Sequence, residues 1–78
     1  MKKRECVMGT KYDWSTIPVE ANWAATDENG LTCCYTTKPF MWGNEWLVKE
    51  LDEVVLCYRS EPKEDWKDSL EQRPVENN

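Results

Sequence analysis

Between Asn22 and Thr37 the chain reads Asn-Trp-Ala-Ala-Thr-Asp-Glu-Asn-Gly-Leu-Thr-Cys-Cys-Tyr-Thr-Thr, two β-favouring runs around Asp27-Glu28-Asn29-Gly30. An Asn-Gly pair between such runs is the strongest short-range hairpin signal. A two-residue type I′ loop at Asn29-Gly30 would set Trp23 opposite Thr36 and split the large residues between the two faces. A three-residue turn with Gly30 as a left-handed G1 bulge instead sets Asp27 opposite Leu31, Ala25 opposite Cys33 and Trp23 opposite Tyr35. This second register gathers Trp23, Ala25, Leu31, Cys33 and Tyr35 on one face and is the one predicted. Asn22, Ala24, Thr26, Thr32, Cys34 and Thr36 then fall on the other. Two strands alone are marginal in water, so the apolar face needs covering by the rest of the chain.

The cover has to come from few residues. At 78 residues a single small domain is expected, and a chain of this size buries only about 60% of its unfolded surface. Five Trp, three Tyr and one Phe supply the apolar area that Leu, Ile and Val do not. Trp14, Trp46 and Trp66 are the residues expected to converge on the Trp23/Tyr35 side. Pro18 holds Ile17 extended, and Trp14 and Ile17 anchor their segment to the sheet.

Residues 1–11 show no periodicity and are read as a flexible arm, with a short edge strand at Val7 and Met8 as the one element suggested there. Residues 12–74 form the domain and 75–78 a disordered tail. After the hairpin, Lys38-Pro39 ends the second strand, because Pro lacks the N–H that would continue a ladder. Phe40, Met41, Trp42 and Trp46 then crowd around a turn at Gly43-Asn44. That cluster is either the lid of a small core or an exposed stacking and binding surface.

Two readings compete over Glu45 to Tyr58. Leu47, Val48, Leu51, Val54, Val55 and Tyr58 share a helical face, with Asn44 as N-cap and Glu45 and Lys49 paired at i,i+4. The run Val54-Val55-Leu56-Cys57-Tyr58 favours strand instead, with a turn at Leu51-Asp52 closing a second hairpin. Near the end, Trp66 with Leu70 and Lys67 with Glu71 predict a short helix over Asp65–Gln72, stopped by Pro74. The expected fold is α+β, mainly β: a small antiparallel meander of three or four strands with a short C-terminal helix.

The four Cys are read as thiols. Met1-Lys2-Lys3-Arg4 is not followed by the apolar run of a secretory signal, so no oxidising compartment is expected. Cys33 and Cys34 point to opposite faces, there is no Cys-x-x-Cys, and the chain has no His, so no metal site is expected. Cys33 and Cys57 are read as small buried hydrophobes. No apolar run is long enough to span a membrane. Fifteen acids against ten bases give a net charge of −5, which argues against direct nucleic-acid binding.

Asp13-Trp14-Ser15 with Ile17-Pro18, the spaced Trp23, Ala25, Asp27 and Gly30, Lys38-Pro39, Trp46, and the closing run from Asp65 to Pro74 together resemble a group of small bacteriophage and prophage proteins without an assigned function. The resemblance spans about residues 13–74 and implies origin rather than chemistry. It also implies further short strands after Lys38-Pro39, which turns the reading of Glu45–Tyr58 from helix to hairpin. The closing string is then either a partner-binding tail with Arg73 and its acids exposed or a docked cap completed by Trp66.

No nucleophile–base pair or phosphate loop is recognisable, and Asp52-Glu53 and Glu64-Asp65 lie in solvated runs, so no enzyme activity and no cofactor are expected. The expected function is that of a non-enzymatic phage accessory protein acting in the host bacterial cytoplasm. It would bind a bacterial protein, a regulator or defence component, through Phe40, Trp42 and Trp46 with Glu45, Glu50, Asp52 and Glu53 as an acidic rim and Arg73 as a further contact. An acidic DNA mimic and a minor virion or assembly protein are the alternatives.

Overall fold

The computed structural model describes residues 10–75; the expected strand at Val7 and Met8, most of the N-terminal arm, Cys6 and the end of the C-terminal tail lie outside them. Among the described residues six strands form two antiparallel sheets: β1 (Trp23–Thr26), β2 (Leu31–Tyr35), β3 (Phe40–Trp42), β4 (Glu45–Leu47), β5 (Val54–Arg59) and β6 (Glu71–Gln72). In the larger sheet the order is β5, β2, β1, β6, while β3 pairs only with β4. The fold is thus mainly β, and the helical turns among the described residues are single 3-10 turns at Trp14–Thr16, Leu51–Glu53 and Trp66–Asp68. No described helix is long and apolar enough to cross a membrane.

The central hairpin takes the bulged register, with Trp23 opposite Tyr35 and Ala25 opposite Cys33. Its turn is closed by the Asp27 N–H donating to the Leu31 carbonyl (2.9 Å), the Gly30 N–H donating to the Asp27 carbonyl (3.0 Å), and the Leu31 N–H donating to Asn29 Oδ1 (3.0 Å). Gly30 has φ 93°, a conformation that only Gly adopts without cost. The chain after β5 also presses onto this residue. The Ser60 N–H donates to the Gly30 carbonyl (2.8 Å), and a Cβ on Gly30 would meet the Ser60 carbonyl and Pro62.

Both faces of the hairpin are buried, whereas cover was expected only over the Trp23/Tyr35 face. On the first face Ala25, Cys33 and Tyr35 pack with Trp46 and Trp66, flanked by Trp23, Leu31, Val48, Val54 and Leu70. On the second, Ala24 and Cys34 pack with Trp14, Ile17 and Ala21, flanked by Tyr12, Val55 and Leu56. Trp14 therefore covers the face opposite the expected one. Thr26 and Thr32 are buried there too, and their hydroxyls share hydrogen bonds in a row: Tyr12 with Thr26 (2.9 Å), Thr26 with Thr32 (2.7 Å) and Thr32 with Ser60 (2.8 Å). Cross-strand Thr pairs can enter a core only when satisfied in this way.

The sheet is not a meander. The hairpin sits at its centre, and later segments come back to line both its sides. Along β1 the closing segment supplies three successive partners. The Arg73 N–H donates to the Asn22 carbonyl (2.7 Å), Glu71 pairs with Ala24, and Ser69 Oγ both accepts the Thr26 N–H (2.8 Å) and donates to the Thr26 carbonyl (3.1 Å). A serine hydroxyl here stands in for a strand's main chain. The expected helix over Asp65–Gln72 is replaced by one 3-10 turn and a two-residue strand, because Ser69 and Glu71 are drawn to the open side of β1.

Neither reading of Glu45–Tyr58 holds as a unit. Both β4 and β5 are strands, but β4 pairs back with β3 and β5 crosses to β2, so the turn at Leu51–Glu53 joins two sheets rather than closing a hairpin. Strand β5 carries a bulge at Val55, which lets Val55 and Leu56 both enter the second-face core while Val54 stays in the first. The thiol reading of two cysteines is also overturned. Cys33 and Cys57 lie opposite each other and form a disulfide closing a loop across 24 positions. The buried Cys34 is the free cysteine among the described residues, and its burial pushes the thiol above its ordinary pKa despite the nearby Arg73 charge.

Two stability predictions follow from these contacts. Replacing Gly30 by Ala is expected to cost about 2 kcal/mol or more, from a left-handed backbone and the collision with residues 60–62, read as a lowered urea midpoint at unchanged slope. Reducing the Cys33–Cys57 bond is expected to cost about 3 kcal/mol by the loop-entropy relation, measured by comparing urea unfolding with and without a phosphine reductant.

Candidate interaction surface

Strands β3 and β4 form a small hairpin that pairs with no strand of the larger sheet. Gly43 has φ 64° and Asn44 does not have a positive φ, the pattern of a type II′ turn, whose twist suits a two-residue connection. The register sets Trp42 opposite Glu45, Met41 opposite Trp46 and Phe40 opposite Leu47. With a two-residue loop, Trp42 and Glu45 exchange the hydrogen bonds, and the next pair, Met41 and Trp46, aims its main-chain groups outward.

On the β4 side those outward groups anchor the hairpin. The Trp46 N–H donates to Asp27 Oδ1 (2.8 Å), the Tyr35 hydroxyl donates to the Trp46 carbonyl (3.3 Å), and the Trp46 indole N–H donates to the Trp66 carbonyl (3.3 Å). The Glu28 N–H adds a bond to the Asn44 carbonyl (3.2 Å) at the tip. Strand β4 is therefore the attached strand and β3 the outer one. Among the described residues no strand pairs with the far edge of β3.

The result is an exposed apolar strand. Trp42 is 70% exposed, Phe40 44% and Met41 40%. Phe40 and Trp42 share one face with their cross-strand partners Glu45 and Leu47, while Met41 shares the inner face with Trp46.

The residues singled out in the sequence separate into used and unused groups. Phe40, Trp42 and Glu45 come together on the outer face of this hairpin. Trp46 is only 7% exposed and belongs to the core, so it offers the surface no ring. Glu50 and Asp52 are exposed around the 3-10 turn that leads into β5. Glu53 is half-buried, and its Oε1 accepts the Thr37 hydroxyl (2.9 Å).

Arg73 is not a free contact. Its Nε donates to the Ala21 carbonyl (2.7 Å), Nη2 to the Pro18 (2.5 Å) and Ile17 (3.2 Å) carbonyls and Nη1 to the Trp14 carbonyl (3.5 Å), with the guanidinium 4.8 Å from the Trp14 ring centroid. Glu71 completes the clasp by accepting the Trp14 indole N–H (2.9 Å) and the Lys11 main-chain N–H (3.0 Å). The closing string is a docked cap. Sequence reasoning placed Met41 in the aromatic cluster without counting it as a contact, and it missed the open main-chain edge of β3. The alternation of Phe40-Met41-Trp42 across a Gly-Asn turn was the available signal, but which strand attaches to the body depends on Asp27, far away in sequence.

Asp27 is the polar keystone beneath this surface. Burial holds its carboxyl above the ordinary range, the Trp46 N–H pulls it back down, and the Glu45 charge adds to the rise. Among the described residues no group of His, Cys, Asp or Glu is arranged to hold a metal ion. No family model matches the sequence, and no curated protein or solved structure matches it with significance.

Asp27→Ala is expected to cost about 1–3 kcal/mol by leaving the buried Trp46 N–H unpaired, whereas Asp27→Asn keeps an acceptor and stays close to the native stability. A folded-state pKa raised above the unfolded value of about 3.9 means that the folded chain binds this proton more tightly. The stability tied to Asp27 is therefore full below the unfolded value and is lost as pH rises through the folded one. Thermal midpoints measured across that range are expected to fall with pH less steeply in Asp27→Asn than in the native chain.

Proposed function

We propose that this chain is a non-enzymatic interaction module of bacteriophage or prophage origin that binds a bacterial host protein, a regulator or a component of defence. The origin rests on the strings from Asp13 to Pro74 described above. The binding role rests on one observation, an outer strand in which Phe40, Met41 and Trp42 are all exposed. A chain short of core-forming aliphatic residues leaves its most apolar strand in water, on a hairpin rigidly anchored through Trp46.

The chemistry suits a protein partner. Trp and Met are enriched in interface cores, and a Trp on a fixed strand supplies large contact area at small entropic cost. Glu45 beside Trp42 adds a polar rim, and the open edge of β3 adds main-chain groups for register.

The reading predicts that oxidised native protein immobilised on a resin recovers a specific bacterial protein and that Trp42→Ala loses it. The expected loss is about 30-fold or more in affinity, the scale of an aromatic hot spot, with an unchanged thermal midpoint because Trp42 supports no core. Equal recovery by both proteins, or recovery of no specific partner, would refute the proposal.

A further inference from the structure

Resting on that reading, we infer that the Trp42–Glu45 pair on β3–β4 is a subsite for an arginine side chain, presented by an extended partner segment that adds to the open edge of β3. The inference starts from how this chain treats its other tryptophans. Arg73 lies 4.8 Å from the Trp14 ring centroid, Lys38 lies 5.6 Å from that of Trp23, and Lys67 lies 5.9 Å from that of Trp66. Trp46 is buried. Trp42 is therefore the remaining one, the most exposed, and no cation of this chain covers it among the described residues.

A carboxylate stands directly beside it. Glu45 is the cross-strand partner of Trp42, it is exposed, and its carboxylate forms no hydrogen bond or ion pair among the described residues. A ring face and an adjacent carboxylate together suit a planar cation, which stacks on the one and donates to the other. The chain already builds a related set internally, where the Arg73 guanidinium meets the Trp14 ring and Glu71 accepts the Trp14 indole N–H.

The main chain sets how the cation arrives. Among the described residues the outward N–H and carbonyl of Met41 have no partner strand, and an extended segment can take both by strand addition. Side chains on such a segment alternate, so one facing outward lies beside Phe40 and Trp42 while its neighbours face Met41. The net charge of −5 favours a basic segment over a second copy of this acidic chain.

The test uses oxidised full-length protein with the Trp42 indole resonance assigned by Trp42→Phe. The probe is a capped synthetic pentapeptide alternating valine and arginine, titrated beside the same peptide carrying neutral citrulline for arginine. The expected result is a saturable shift of the Trp42 resonance with binding about tenfold weaker for citrulline, as the cation–π attraction and the ion pair are both lost with the charge. Glu45→Gln is expected to weaken the arginine peptide about threefold and leave the citrulline peptide unchanged. N-methylation of the peptide at the residue facing Met41 is expected to abolish the shift.

Equal binding of the two peptides, no shift of Trp42 at peptide concentrations on the order of 10 mM, or a Trp42 shift that depends on protein dilution without peptide would each overturn the inference. The last outcome would assign the edge to self-association. Loss of the bacterial partner in Trp42→Ala without arginine-selective peptide binding leaves the interaction module standing and removes only the subsite. Arginine-selective binding beside a partner indifferent to Trp42 does the reverse.

Discussion

The structure depends on burying a two-stranded hairpin on both faces at once. Each residue of β1 after Trp23 and of β2 after Leu31 is buried, so two independent covers must come from a chain with little apolar material. The hairpin meets them with small residues at its centre: Ala24 and Ala25 leave room for Trp14 on one side and Trp46 and Trp66 on the other. Large flat rings over small central residues make two thin cores out of one short sheet. Polar groups then fix the covers in place, since area alone is scarce in a domain of this size.

That division explains why one hairpin is left exposed. Trp46 belongs to the first cover, and its own main chain is gripped by Asp27 and Tyr35, so β4 cannot turn over or slide. Once β4 is fixed, a Gly43-Asn44 turn puts β3 on the solvent side whatever its side chains are. Phe40 and Trp42 face water as a consequence of where Trp46 is needed. Natural sheets usually blunt such edges with charge, Pro or a bulge; here Pro39 precedes β3 and Glu45 stands beside Trp42.

Much of this was legible where the determining interactions are local. The Asp27-Glu28-Asn29-Gly30 turn fixes the hairpin register through sterics at Gly30, and Phe40 and Trp42 stand out as aromatics flanking a turn. The failures share a non-local cause. No cover was expected over Thr26, Thr32 and Cys34 because nothing near them announces Tyr12, Ser60 or Trp14. Residues 65–72 carry helical spacing, yet Ser69 and Glu71 are claimed by the open side of β1. Cys33 and Cys57 read as thiols because only the pairing of β5 with β2 brings them together, and Arg73 stayed open between an exposed contact and part of a docked cap because its acceptors are main-chain carbonyls some fifty positions earlier.

Those carbonyls carry one more consequence, for the order in which the molecule assembles. The Arg73 guanidinium and Glu71 close the second core by gathering residues 11–21, so this face is completed only after nearly the whole described chain is present. The first cover also waits for Trp66 and Leu70, so during synthesis neither face of the hairpin closes until the last described residues have emerged. A nascent chain stalled before Arg73 would therefore carry an open apolar face into the crowded space beside the ribosome. Contacts of such long sequence separation also place the folding rate toward the slow, millisecond-to-second end for a small domain.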